Sequence, residues 1–171
     1  MKILLLRPYV GTDLHWSFPL GLLAVGSVLK RAGHEVRILD LRIASRHDED
    51  LKKTMEEFNP EYVGIGLLSI ESEHAFVAAA KVKALKKDAF VIFGGPHCSH
   101  DPQYILYDHN VDMMIVGEAE LTIIELLDAL KNHGDLSQVK GIAYRKDGEY
   151  IRTPERPIIK DLDWLTQEYD L

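Results

Sequence analysis

The sequence has a single cysteine among its 171 residues, Cys98. No disulfide can close within the chain, and no set of thiolates can hold an iron–sulfur cluster. No apolar run approaches the length of a bilayer span. The run Ile3–Leu6 behind Met1 and Lys2 is too short for a signal-peptide core and is followed by no small-residue cleavage site. Basic residues are the minority, 20 Lys and Arg against 27 Asp and Glu, for a net charge of -7. That balance argues against a broad nucleic-acid surface. No G-x-G-x-x-G follows the first apolar run and no P-loop occurs, so a dinucleotide gripped by its pyrophosphate is not expected. Repeats and low-complexity tracts are absent. What is present is a chain with 46% hydrophobic residues, enough for one core. A cytoplasmic protein without a membrane span is the expectation.

The most informative stretch is Phe90-Val91-Ile92-Phe93-Gly94-Gly95-Pro96-His97. An apolar, partly β-branched run reads as a buried strand. Two glycines then remove every Cβ where the strand leaves the sheet, so a ligand or another backbone can come close. Similar apolar runs lie at 3–6, 36–39, 62–68 and 113–116. Between them stand amphipathic stretches: one opened by Pro19 and stopped by Gly33, then 48–58, 71–87 and 121–130. Strands alternating with helices predict a parallel sheet covered on both faces. After Gly134 the texture changes. Two short runs flank Asp147-Gly148, a hairpin signal. The division expected is an α/β unit over residues 1–140 and a hairpin with linker over 141–171.

The unusual residues gather at the predicted carboxyl ends of strands. They are Pro8, Ser69, Gly94 to His97, and Gly117-Glu118-Ala119-Glu120. In an open parallel sheet those loops share one edge and can form one cleft.

In order and spacing, several motifs resemble one family. They are Pro19-Leu20-Gly21-Leu22-Leu23, Gly33-His34-Glu35-Val36, Gly94-Gly95-Pro96-His97, Gly117-Glu118-Ala119-Glu120 and Ile159-Lys160-Asp161-Leu162-Asp163. The family is the N-terminal cobalamin-binding domain of cobalamin-dependent radical S-adenosylmethionine enzymes. The resemblance implies a flavodoxin-like three-layer α/β sandwich, with a five-stranded parallel sheet of order 2-1-3-4-5 and a C-terminal β-hairpin. It implies cobalamin as cofactor, held at Pro8, Leu20, Gly21, Ser69, Gly94, Gly95, Pro96, His97, Gly117, Glu118 and Glu120. Ser69 would face the nucleotide tail with its hydroxyl, and Gly94 and Gly95 would let the tail lie against backbone. Pro96 and His97 would line the corrin side. The family's catalytic domain adds S-adenosylmethionine and a [4Fe-4S] cluster on C-x-x-x-C-x-x-C. One cysteine cannot supply that motif, so the chain is expected to serve its own C-terminal radical domain, often a methyltransferase, and to catalyse nothing alone.

One departure bears on the cobalt. Family members that ligate cobalt through histidine carry D-x-H-x-x-G; here Asp13 and His15 match, but Phe18 replaces the glycine. His15 is therefore not expected on the metal. His97, Cys98, His100 and His109 match no zinc spacing. Glu118 and Glu120 read either as a carboxylate pair or as helix caps. Two other functions stay open on the residues alone. One is a flavin- or nucleotide-binding module, which lacks a Ser/Thr-rich phosphate loop. The other is a receiver-like interaction domain, which lacks an Asp at the end of the third strand.

Overall fold

In a computed structural model of the chain, which describes residues 1–11, 18–100, 102–160 and 165, alternate residues of each central strand go to two different cores. Strand β1 (Lys2–Arg7) sends Leu4 and Leu6 to one core and Ile3 and Leu5 to the other. A pleated strand covered on both faces must do this. In β3 (Tyr62–Gly66), β4 (Phe90–Gly94) and β5 (Met113–Ile115), the residues Val63, Ile65, Val91, Phe93 and Met114 join the first core. Ile92, Met113 and Ile115 join the second. Strand β2 (Glu35–Asp40) pairs with β1 and forms one edge of the sheet.

Helices α2 (His47–Phe58) and α3 (Ser72–Leu85) cover the first core with Leu51, Met55, Phe58, Ala75, Ala79 and Val82. Helices α1 (Leu20–Arg31) and α5 (Ala119–Lys131) cover the second with Val28, Leu29, Ile123, Leu126 and Leu127. A short helix, α4 (Pro102–Ile105), lies between β4 and β5. Gly33, at φ +83°, ends α1, and the N–H of His34 reaches back to Leu29 O at 3.1 Å. A left-handed glycine there satisfies carbonyls that the helix end leaves open. Among the described residues no helix is long and apolar enough to cross a membrane.

Five parallel strands stand in the expected order, but the sheet does not stop at β5. Strands β6 (Ile142–Lys146) and β7 (Glu149–Arg152) continue it antiparallel, giving a mixed seven-stranded sheet of order β2-β1-β3-β4-β5-β6-β7. The expectation of a five-stranded sheet with a hairpin beside it is corrected. The cause is burial: Ala143 enters the first core and Ile142 and Tyr144 the second, so β6 covers what would otherwise be an open apolar edge at β5. Asp147 and Gly148, at φ 53° and 85°, take the two left-handed positions of a tight hairpin turn. Thr153 then closes the hairpin. Its Oγ1 accepts from the N–H of Ile142 at 3.0 Å and donates to Ile142 O at 3.2 Å.

Candidate functional site

Strand β3 alternates branched residues with glycine, and that alternation makes the cleft. Val63 and Ile65 fill the first core, so Gly64 and Gly66 fall on the α1/α5 face. Register places Gly64 beside Ile92 and Gly66 beside Gly94. A Cβ on Gly64 would lie 2.9 Å from Leu5 Cδ2, so this glycine is spent on packing. Among the described residues, a Cβ on Gly66 would touch only Leu22, at 3.6 Å, and one on Gly94 would meet nothing within 4 Å. Toward the carboxyl edge this face therefore runs out of side chains, and a cleft of about 590 Å³ opens. Its floor is Leu5, Gly64, Gly66, Ile92 and Gly94. One wall is the start of α1 with Pro19, Leu20, Gly21 and Leu22. The other is the start of α5 with Gly117 to Glu120 and Ile123.

The loops after β3 and β4 are zipped together above this floor. The N–H of Leu67 donates to Gly94 O at 2.7 Å, and that of His97 donates to Leu67 O at 3.3 Å. The Nδ1 of His97 and the Oγ of Ser69 share a hydrogen bond of 2.9 Å. Gly95, at φ +123°, is the hinge of the arrangement. A Cβ there would come within 2.7 Å of Leu67 O. Its missing side chain thus leaves room for protein backbone, whereas that of Gly94 leaves room in the cleft.

Charge enters on the β1 side. Arg7 and Glu71 both line the cleft. Arg7 Nη1 pairs with Asp40 Oδ2 at 3.1 Å, with side chains 11% and 7% exposed. Arg42 pairs with Glu71. Burial holds the Arg42 guanidinium below its ordinary pKa; nearby Arg7 lowers it further and Asp40 opposes the shift. At the α5 end, Glu120 Oε2 is buried with no hydrogen-bond partner among the described residues. An orphan acceptor of this kind is costly until a donor arrives. Glu118 occupies the N-cap of α5, but its side chain makes no capping hydrogen bond.

Of the residues singled out in the sequence, Leu20, Gly21, Gly94, Gly95, Pro96, Gly117, Glu118 and Glu120 line this one cleft. Ser69 and His97 sit together on the zipped loops beside it. Pro8 is buried just past β1, away from the cleft lining. Asp13 and His15 lie outside the described residues. Among the described residues no group of three or more His, Cys, Asp and Glu is placed to hold a metal. Cys98 is fully buried, and burial pushes its thiol up to about 12. The sequence reading missed Arg7, Glu71 and Ser99 on the lining. A cavity of about 500 Å³ lies on the other face between α2 and α3, spanned by the Lys81–Asp48 ion pair. It has none of the glycine-floored sheet edge.

An open α/β sheet with a glycine-floored cleft at its carboxyl edge defines a module that binds a bulky ligand against backbone. Residues 6–127 match the B12 binding domain. The chain belongs to that family, and it is a cobalamin-binding domain. The residues fit the cofactor: backbone room at Gly94 and an unsatisfied acceptor at Glu120 suit a large ligand rich in amide and hydroxyl donors. The chain is 33% identical to an uncharacterized methyltransferase of Pyrococcus horikoshii, a match over 100% of this chain and 39% of the relative. It is 32% identical to the anaerobic magnesium-protoporphyrin IX monomethyl ester cyclase of Synechocystis, over 85% of this chain and 30% of the relative. The chain thus spans about a third of the length of these relatives. Its fold matches that of the radical S-adenosylmethionine methyltransferase TsrM from Kitasatospora setae, solved with cobalamin and a [4Fe-4S] cluster. There the TM-score is 0.78 at 21% identity, over 90% of this chain and 30% of that one.

Proposed function

We propose that the domain holds cobalamin with its nucleotide tail sunk in the β3/β4 cleft and its corrin across the mouth, on behalf of a radical S-adenosylmethionine domain. One observation carries this reading. The face of the sheet loses its side chains at Gly66 and Gly94, just where the starts of α1 and α5 line about 590 Å³ of space. A slender tail fits such a slot. A macrocycle fits the broader mouth, where Leu20, Leu68 and Phe18 are exposed.

In this reading Gly94 gives the tail backbone to lie on, and Gly95 keeps the β4 loop in register with Leu67. Ser69, steadied by His97, offers its hydroxyl beside the slot. Glu120 accepts a donor through its orphan oxygen, and Glu118 does the same at the rim. Leu20, Gly21, Pro96 and Gly117 shape the entrance, and Pro8 is buried just past β1. When bound, the corrin supplies a cobalt centre able to carry a methyl group. The methyltransferase among the similar chains supports a methyl-transfer role for the whole protein, with S-adenosylmethionine and a [4Fe-4S] cluster in its other domain. The chain beyond β7 would lead from the sheet toward that domain. A free, buried thiol at Cys98 suits the reducing cytoplasm in which such a cluster survives.

Calorimetric titration with hydroxocobalamin tests the reading. Saturable binding with a negative heat-capacity change is expected from the apolar burial. Gly94→Val puts a branched side chain into open cleft at a strand position that tolerates it, so affinity should fall about tenfold or more while the circular dichroism stays unchanged. Unchanged affinity in the folded variant would remove the tail from this slot.

A further inference from the structure

Glu71 stands out once the cleft is assigned. It is 7% exposed, it lies in the turn after β3, and it lines the cleft. Its side chain is paired with Arg42, and both side chains are buried, at 8% exposed for Arg42 and 9% for Glu71. Taking such a pair out of water costs more than its mutual attraction readily returns, and an apolar pair of the same volume would often serve the fold as well. The pair stands beside a second, Arg7 with Asp40, whose carboxylate also accepts the backbone N–H of Arg42 at 2.9 Å. Together they fix a carboxylate in the cleft wall, with Arg7 also on the lining. Arg42 pairs with Oε1 of Glu71 through Nη2, and a carboxylate has further lone-pair sites with which to accept from a ligand.

We infer that Glu71 is a specificity residue that accepts a hydrogen bond from a sugar hydroxyl of the cofactor's nucleotide tail, with Arg42 as its positioning partner. This rests on the reading that the tail occupies the cleft. Three points of chemistry select the group. A carboxylate so nearly buried is reached by a thin segment of ligand and not by a macrocycle lying across the mouth. The phosphate is not the partner of this carboxylate, because a phosphodiester anion has no hydrogen to donate and two anionic acceptors repel. Of the neutral donors, the linker amide lies next to the corrin and therefore near the mouth, while the sugar lies deeper. A carboxylate at a strand end is also a general device for holding a ribose hydroxyl in α/β sheets. The bond is charge-assisted, which makes it about twice as strong as a neutral one.

The test measures dissociation constants of the folded chain for hydroxocobalamin and for diaquacobinamide, which keeps the corrin amides and the linker amide but lacks phosphate, sugar and base. The proteins are wild type, Glu71→Gln and the double variant Arg42→Gln/Glu71→Gln. The double variant removes both charges together, so it stays folded even if a lone Arg42 unfolds the single one. Expected are a wild-type preference for cobalamin, a loss of about tenfold in cobalamin affinity in either variant, and cobinamide affinity within about twofold of wild type. If both ligands weaken alike, the donor is an amide and the inference falls. If neither weakens, or if the double variant regains wild-type cobalamin affinity, it falls as well. In those cases the wild-type preference still supports a tail in the cleft. A wild type that does not distinguish the two ligands overturns the tail reading itself, and the inference with it.

Discussion

Two adjacent glycines show how much the position of a missing Cβ matters. Gly94 opens the cleft, while Gly95 makes room for the Leu67 carbonyl at a backbone angle that side chains rarely adopt. Gly95→Ala should therefore cost about 2 kcal/mol of stability, read as a lower urea midpoint. Gly94→Ala should leave the midpoint almost unmoved. Cys98 supplies a second residue-scale prediction. Burial raises its thiol from an ordinary 9.0 to about 12, so the folded state keeps a proton that the unfolded state releases first. Its contribution is whole below about pH 9 and is lost progressively as pH rises toward 12. Compared with Cys98→Ala, wild type should lose stability more steeply across that window. A thiol reagent at neutral pH should leave the folded protein unlabelled and react once it is unfolded.

At the scale of elements, the parallel core was legible because its strands are apolar runs that no other element could bury. The hairpin was legible from Asp147-Gly148. Its docking was not, because an antiparallel partner for β5 is a long-range choice that local pattern does not encode. Helix α4 escaped for want of a full period of apolar residues. The cleft's glycines were readable, yet the two guanidinium–carboxylate pairs were not, since each joins residues that only the fold brings together. One such long-range fastening is Arg145. From β6 it donates to the carbonyls of Leu106, Asp108 and Val111, the latter two at 3.2 Å, and so ties the hairpin to the segment before β5. Arg145→Met keeps much of the stem but abandons three carbonyls. It should destabilise the fold by about 2 kcal/mol in equilibrium urea unfolding, with cobalamin affinity in the folded protein little changed.

At the scale of the whole molecule, the two faces of one sheet have separate tasks. The α2/α3 face is packed with branched and aromatic side chains of the first core. The α1/α5 face gives up packing at its carboxyl edge, and the family places cobalamin in this chain. If the tail is sunk in that slot, the cofactor's own benzimidazole cannot also sit on cobalt, and Phe18 in place of the motif glycine argues against His15 taking its place. Electron paramagnetic resonance of the bound cob(II)alamin form reads this directly, because one axial nitrogen splits each cobalt line into three. The prediction is that the splitting seen for free cob(II)alamin disappears on binding to this chain. Threefold splitting that persists in the bound cofactor, and survives His15→Ala, would put the benzimidazole back on cobalt and the tail outside the cleft.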